Sequence, residues 1–389
     1  MAYILRILIF FINLLANYQV DGVCTYQGQN YELQYTLPSN NQMKGTEFSC
    51  DLIRYFDIYN FLNQTTFIDL ATTDIPNIKI VTAFNEKSRK RAGYLLKTFK
   101  SAFRGQRMIV YDLGLKKATV KKLSKYSFVE YRKFQFSNFP THVRNLQNAA
   151  YKLIIIAEVL KEYPYIMWAN PTLRFTMTGF MNRVDQLISC YKGKPADQMT
   201  KQPQYITERN NKKFKEIVLP TCAKCQPKYQ TNGYNPELFK FNVDSCYKSN
   251  MLLTIPSNHG ILSTIPDSLK KYIPTDANLF QQNTELQFTT GIIFIVRTQN
   301  TIQNMMSWAL LCALTKDCIE PIQVKNECSY DFGNLFSKNF VCPAADQGLL
   351  TLLLHNANNY DYRNYITDIF NYAKYGNKQL KKWKKLRKG

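Results

Sequence analysis

Between Asn77 and Leu354, short apolar runs alternate with stretches whose apolar residues recur at helical spacing. Residues 78–84, "IKIVTAF", are apolar almost throughout, follow Pro76 and stop at Asn85-Glu86, which predicts a buried strand. In 87–103, Ala92, Leu95, Leu96, Phe99 and Phe103 share one face of a helix. The pattern repeats. A strand over 107–115 stops in Asp112 and Gly114, and the helical segment "ATVKKLSKY" follows. A strand over 128–136, a long helix over 146–163 and the strand "PYIMWAN" complete the series. Strands separated by helices of this length imply right-handed crossovers and an α/β fold with a mostly parallel central sheet flanked by helices, and 389 residues suffice for one large domain or two smaller ones.

Ligands on such sheets bind beyond the carboxyl ends of the strands. Those ends are Ala83-Phe84-Asn85, Asp112 and Asn170-Pro171-Thr172. The first strand-to-helix turn lacks GxGxxG, which argues against a dinucleotide site. The loop after the fourth strand offers Asn170 and Thr172 and no acid.

Composition narrows the partners. The chain has 389 residues, 45% hydrophobic and 14% aromatic, with a formal net charge of +22. Such charge suits phosphate-, sulfate- or carboxylate-rich partners, or is a solvated lysine-rich surface. Zinc-finger spacing, an RNP-like aromatic segment and a P-loop are all missing, so nucleic acid is not expected as a partner. The densest basic run, 378–389, suits an anionic membrane or an acidic glycan, or is a solvated tail.

The N-terminus places Arg6 before an apolar run from Ile7 to Ala16. That run is shorter than the roughly 20 residues of a membrane-spanning helix and suits a secretory signal or short signal anchor over 1–22. Ten cysteines, none between Asp51 and Ser189, fit disulfides in an oxidising lumen. Cys222 and Cys225 form half a zinc ribbon without a second half. Asn63-Gln64-Thr65 is an N-glycosylation sequon. The expected location is the lumen of the Golgi or endoplasmic reticulum, as a secreted or short-anchored type II protein.

Several blocks carry a resemblance: "VTAFNE", "VYDLGL", "FQFSNFPTHVRNL", "AYKLIIIAEVL", "YIMWANPTLRF", "QFTTGIIFIVRT", "WALLCALTKDCIEP" and "DQGLLTLLL". In this order they resemble the largely uncharacterised invertebrate family of nucleotide-diphospho-sugar transferase-like proteins, which is similar to GT-A glycosyltransferases. The resemblance implies a GT-A-like fold in a single large domain, a nucleotide-sugar donor and a glycan or glycoprotein acceptor. It divides the chain into a lumenal stem (23–76), a nucleotide-sugar half (77–182), an acceptor half with disulfide-rich loops (183–362) and a basic tail (363–389).

It also implies roles. Thr82 and Ala83 line the nucleotide, with Asp112 near base or ribose and Lys152 facing the diphosphate. Asn170 and Thr172 stand where the related pattern carries acids. Gly291 and His259 fall on the acceptor side, and Asp346-Gln347 match the family's "DQ", the implied catalytic pair. The polar triplet before that pair is Pro343-Ala344-Ala345 here. Cys312, Cys318, Cys328 and Cys342 are expected to pin the acceptor-side loops as disulfides. Each has a plainer reading: Asp112 as a turn cap, Lys152 as a snorkelling helix residue, Asp346 as a helix brace.

The chemistry gives the Asn170-Pro171-Thr172 loop its interest. A sugar nucleotide's leaving diphosphate gains charge as the glycosidic bond breaks, and GT-A enzymes usually stabilise it with carboxylate-held Mn²⁺ or Mg²⁺. Neutral Asn170 and Thr172 oxygens are poor ligands for a hard ion, so Mn²⁺ lacks its acidic ligands. Lys152 and Arg174 are the nearest cations to replace it. A metal-independent transferase, a weakly metal-binding one and a catalytically inactive binding protein all remain open.

Overall fold

Each predicted strand and helix from 78 to 170 forms within a few residues of its expected limits. The computed structural model describes residues 19–20, 23–70, 72, 78–175, 250–254, 256–283, 286–320, 345–366 and 373–375. The series runs β1 (Lys79–Phe84), α1 (Arg89–Ala102), β2 (Met108–Asp112), α2 (Lys117–Leu123), β3 (Val129–Lys133), α3 (Ala150–Glu162) and β4 (Tyr165–Ala169). β3 stops three residues early. Phe134 packs on Phe136 and Phe139 while the chain turns through Phe136–Asn138, so this aromatic knot ends the ladder. α3 starts four residues late. Asn148 accepts the Ala150 N–H through its side chain, and Ala149 holds a left-handed backbone (φ 56°) that breaks the helix before it.

After β4 come β5 (Leu173–Phe175), β6 (Met251–Leu252), β7 (Pro256–Gly260), β8 (Leu286–Phe288) and β9 (Ile292–Val296). Then follow α4 (Ser307–Leu314), α5 (Ala345–Ala357) and β10 (Ala373–Tyr375). Among the described residues the central sheet has six strands, in the order β6-β9-β4-β1-β2-β3. β4, β1, β2 and β3 are mutually parallel, and β9 runs antiparallel to β4. The sheet is therefore mostly parallel, as expected.

The strand order fixes where a ligand belongs. The chain builds outward from β1 through β2 to β3, then crosses back to lay β4 on the other side of β1. The gap between β1 and β4 is thus a topological switch point, and the crevice beyond its carboxyl ends is the favoured ligand position. Asn85 and Asn170 stand at those two ends.

Two apolar layers hold the sheet. One face, with Ile80, Phe84 and Val110, packs on Ala92, Leu95, Leu96 and Phe99 of amphipathic α1. The other, with Val81, Ala83 and Trp168, packs on α3, which buries nine residues because α4 covers its far side.

Two boundaries move. Residues expected as a stem are core: Leu33, Tyr35, Phe48 and Ile53 are buried in the same cluster as α3 and α4. Tyr35 and Phe48 contact Trp308, and Cys24–Cys50 closes this segment. Their aromatic content gives them a burial value that a loose stem cannot use. The expected tail also enters the fold. Tyr365 and Ile366 are buried, and β10 pairs with β5. Residues 1–18, Cys222, Cys225, Cys328, Cys342, Pro343-Ala344 and the basic run 378–389 lie outside the described residues.

Candidate functional site

β4 delivers its last residues to the switch point. The Asn170 N–H donates to the Gly291 carbonyl (2.8 Å), and the Leu173 N–H closes the turn on the Asn170 carbonyl (3.0 Å). The Asn170 side-chain oxygen accepts from the Trp168 indole N–H (3.1 Å), so that oxygen is already engaged. Thr172 and Pro171 are half-buried beside it.

Beneath the loop lies a polar cluster. Lys152, in the first turn of α3, is 2% exposed. Its Nζ donates to Asp346 Oδ2 (2.8 Å) and to the Thr290 carbonyl (2.5 Å), and lies 5.4 Å from the Trp168 ring centroid. Thr290 Oγ1 donates to the same Asp346 oxygen (2.6 Å). Asp346 sits in the first turn of α5, where the helix dipole favours a negative charge. Burial pulls the Lys152 ammonium below the ordinary lysine range, and the Asp346 charge opposes this. Tyr151, alongside, has its phenol pushed up by burial and by the Asp346 charge.

The accessible edge of this cluster is Asp346. Its side chain keeps 13% exposure, and Oδ1 makes no hydrogen bond among the described residues. An oriented carboxylate oxygen with a free lone pair can accept a hydroxyl proton or hydrogen bond. Gln347 follows it, half-buried.

The other implied residues separate. Asp112 is spent on structure: Oδ1 accepts the N–H groups of Gly114 (2.7 Å) and Leu115 (2.6 Å), and Oδ2 accepts the Tyr131 hydroxyl (2.8 Å). Burial and then Asp112 push the Tyr131 phenol up to about 12. The turn-cap reading of Asp112 is therefore the observed geometry. Thr82 and Ala83 point to opposite faces of β1 and are both buried, Thr82 with a hydroxyl that has no hydrogen-bond partner among the described residues. Arg174 turns to α1, with its guanidinium 4.4 Å from the Tyr94 ring centroid, and does not join Lys152. His259 lies in β7, which pairs with β8. Asn63 is exposed, its side chain accepting from the Thr65 N–H and hydroxyl. Cys312 and Cys318 are bonded to each other.

Thr290, Trp168 and Tyr151 were not singled out by the sequence. Each neighbours a singled-out residue or lies two positions from one, which was the only available signal. Arg297 was also missed. It is 2% exposed, faces no carboxylate among its described partners, and donates to the Asn60 (2.6 Å), Leu160 and Tyr59 carbonyls and to Thr66 Oγ1. Burial pushes its guanidinium down to about 10. It ties the N-terminal segment to the end of β9.

Residues 22–157 match a family described only as "Protein of unknown function (DUF1647)". No curated protein matches the chain. Among solved structures, galactosyltransferase LgtC in complex with donor and acceptor sugar analogues has a TM-score of 0.31 and 10% identity. The match covers 72% of this chain and 70% of that one. The apo structure of the bifunctional glycosyltransferase WbbM has a TM-score of 0.30 and 11% identity, covering 64% of this chain and 39% of that one. An active-site mutant of LgtC matches 27% of this chain and 41% of its own, with a TM-score of 0.21 and 13% identity. Similarity at these levels leaves the fold resting on the sheet topology above.

Proposed function

We propose that the protein is a nucleotide-sugar-dependent glycosyltransferase-like protein of the secretory lumen. The donor lies at the β1/β4 switch point, and a glycan or glycoprotein acceptor lies on the Gly291 side. One observation carries this reading: Lys152, Thr290, Trp168, Asn170 and Asp346 converge at the carboxyl edge of the parallel sheet. Asp346 Oδ1 is the oxygen suited to orient or deprotonate an acceptor hydroxyl. Lys152 holds that carboxylate in place, and its field partly offsets charge developing on the leaving diphosphate.

Metal independence is part of the proposal. Asn170 and Thr172 supply neutral oxygens, and the Asn170 oxygen already accepts a hydrogen bond. The observation favouring an inactive binding protein is specific: Asp346 neutralises Lys152, and Arg174 is stacked on Tyr94. Thermal shifts with a panel of nucleotide sugars, with and without Mn²⁺, test donor binding. Release of nucleoside diphosphate tests transfer. A metal-independent shift with one donor and slow diphosphate release is expected. A shift without release leaves the binding protein, and no shift with any donor overturns both readings.

A further inference from the structure

More than half of the chain's net positive charge falls in one segment. Residues 87–127 contain thirteen Lys and Arg and a single acid, the buried Asp112. This is a net +12 of the chain's +22. All thirteen cations are exposed, and among the described residues only Arg89 is ion-paired, to Glu86 (3.0 Å).

These cations share one face of the molecule. α1 and α2 are successive crossovers on the same side of the sheet, and both bury their apolar stripes in the same layer. Their two ends are laced together. Glu86 accepts from the Lys116 N–H and Thr119 hydroxyl, Lys100 lies 5.7 Å from the Phe128 ring centroid, and Arg107 donates to the Val129 carbonyl. Lys90 and Lys97 stand seven residues apart on α1, with Arg104 just beyond its end, and Lys117 and Lys121 stand four apart on α2, with Lys125 just beyond its end. Both spacings give lengthwise rows of charge. Tyr94, 54% exposed, stands within this face with Arg174 over its ring.

We infer that the α1/α2 face is a binding surface for a linear polyanionic glycan, sulfated or uronate-rich. Self-repulsion of this magnitude without acidic partners costs stability, so it suits an external polyanion. The disulfides decide between polyanions. Cys24–Cys50 and Cys312–Cys318 suit an oxidising compartment. Nucleic acid is not the ligand there, and the strongly anionic leaflet of membranes faces the cytoplasm. Rows of cations along two helices also match a chain of regularly spaced charges, and Tyr94 supplies a ring edge against which a sugar can pack. This surface lies at the helical layer, apart from the Lys152 cluster, and does not depend on the transferase reading.

Heparin, used as the probe, tests this with the full chain. K90E/R91E/K121E/K122E changes only exposed side chains, and unchanged circular dichroism and melting temperature verify folding. Its Kd for heparin at physiological salt should rise about tenfold or more, with a shallower dependence on log salt, since each lost contact releases fewer counterions. Replacing Lys381, Lys382, Lys384 and Lys385 by Gln in the terminal run should change Kd less than threefold. Wild-type affinity in the helix variant, or loss of affinity in the terminal variant alone, overturns the assignment. Binding to phosphatidylserine vesicles tighter than to heparin, and abolished by the helix substitutions, replaces the glycan with a membrane.

Discussion

Lys152 and Asp346 lie 194 residues apart in sequence and form a 2.8 Å ion pair beside Trp168 of β4. Both sit in the first turn of a helix, α3 and α5, so two helix starts are locked together. The pair is unequal, because Lys152 is nearly sealed while Asp346 reaches the surface.

That inequality sets the outcome of mutation. Asp346→Ala leaves a buried ammonium uncompensated and should cost about 3–5 kcal/mol, whereas Lys152→Met, which leaves the more exposed partner, should cost less. The double variant Lys152→Met/Asp346→Leu should recover part of the loss. Urea unfolding checks the order. Equal costs for the two single variants would contradict the unequal burial.

Asp112→Ala should act on stability rather than on donor contact. The Gly114 and Leu115 N–H groups and the Tyr131 hydroxyl lose their acceptor, at about 1–3 kcal/mol. The Tyr131 phenol, now at about 12, should titrate lower by part of that rise, since burial remains its larger cause. Spectrophotometric titration at 295 nm reads the change.

Buried tyrosines set the alkaline limit. Burial raises Tyr35, Tyr59, Tyr111 and Tyr151 above the ordinary phenol range. A raised folded value means stability is fully present below the unfolded tyrosine pKa of about 10 and is lost as pH climbs towards the folded values. Lys152 has the opposite sign. Its lowered folded value makes the unfolded chain bind more protons, so its contribution grows with pH up to about 10.4. The tyrosines outnumber it, so stability should fall above about pH 10. A flat unfolding profile from pH 9 to 12 would contradict these burials.

The disulfides should differ in weight. Cys24–Cys50 spans 26 residues and Cys312–Cys318 spans 6. Loop-closure entropy makes loss of the first more costly by about 1 kcal/mol when each pair is replaced by Ser. In protein from its native source, alkylation mass spectrometry should find these four cysteines oxidised and a glycan on Asn63.

Asn170→Asp with Thr172→Asp should create Mn²⁺ binding, because hard oxygen anions replace neutral oxygens. Calorimetry should show heat with Mn²⁺ for the double variant and none for the unmutated protein. Micromolar Mn²⁺ binding by the unmutated protein would show that the loop is a metal site already.

Local order alone predicted β1 to β4 and the helices between them, because side-chain period is a property of neighbouring residues. It also predicted that Asn170 would stand at a strand's carboxyl end. Whether Asp112 was a ligand or a turn cap was decided by Tyr131 and by the Gly114 turn. Arg174 was drawn away from Lys152 by Tyr94, across the sheet. The expected stem became core because Trp308 and α4, some 270 residues later, offered an apolar surface to Tyr35 and Phe48. The sequence by itself determined the elements and the residue types at their ends. The tertiary structure alone decided which of those ends meet, because joining Lys152 to Asp346 requires closing a long loop, and only the packing of α3 and α5 in one core supplies the free energy for that closure.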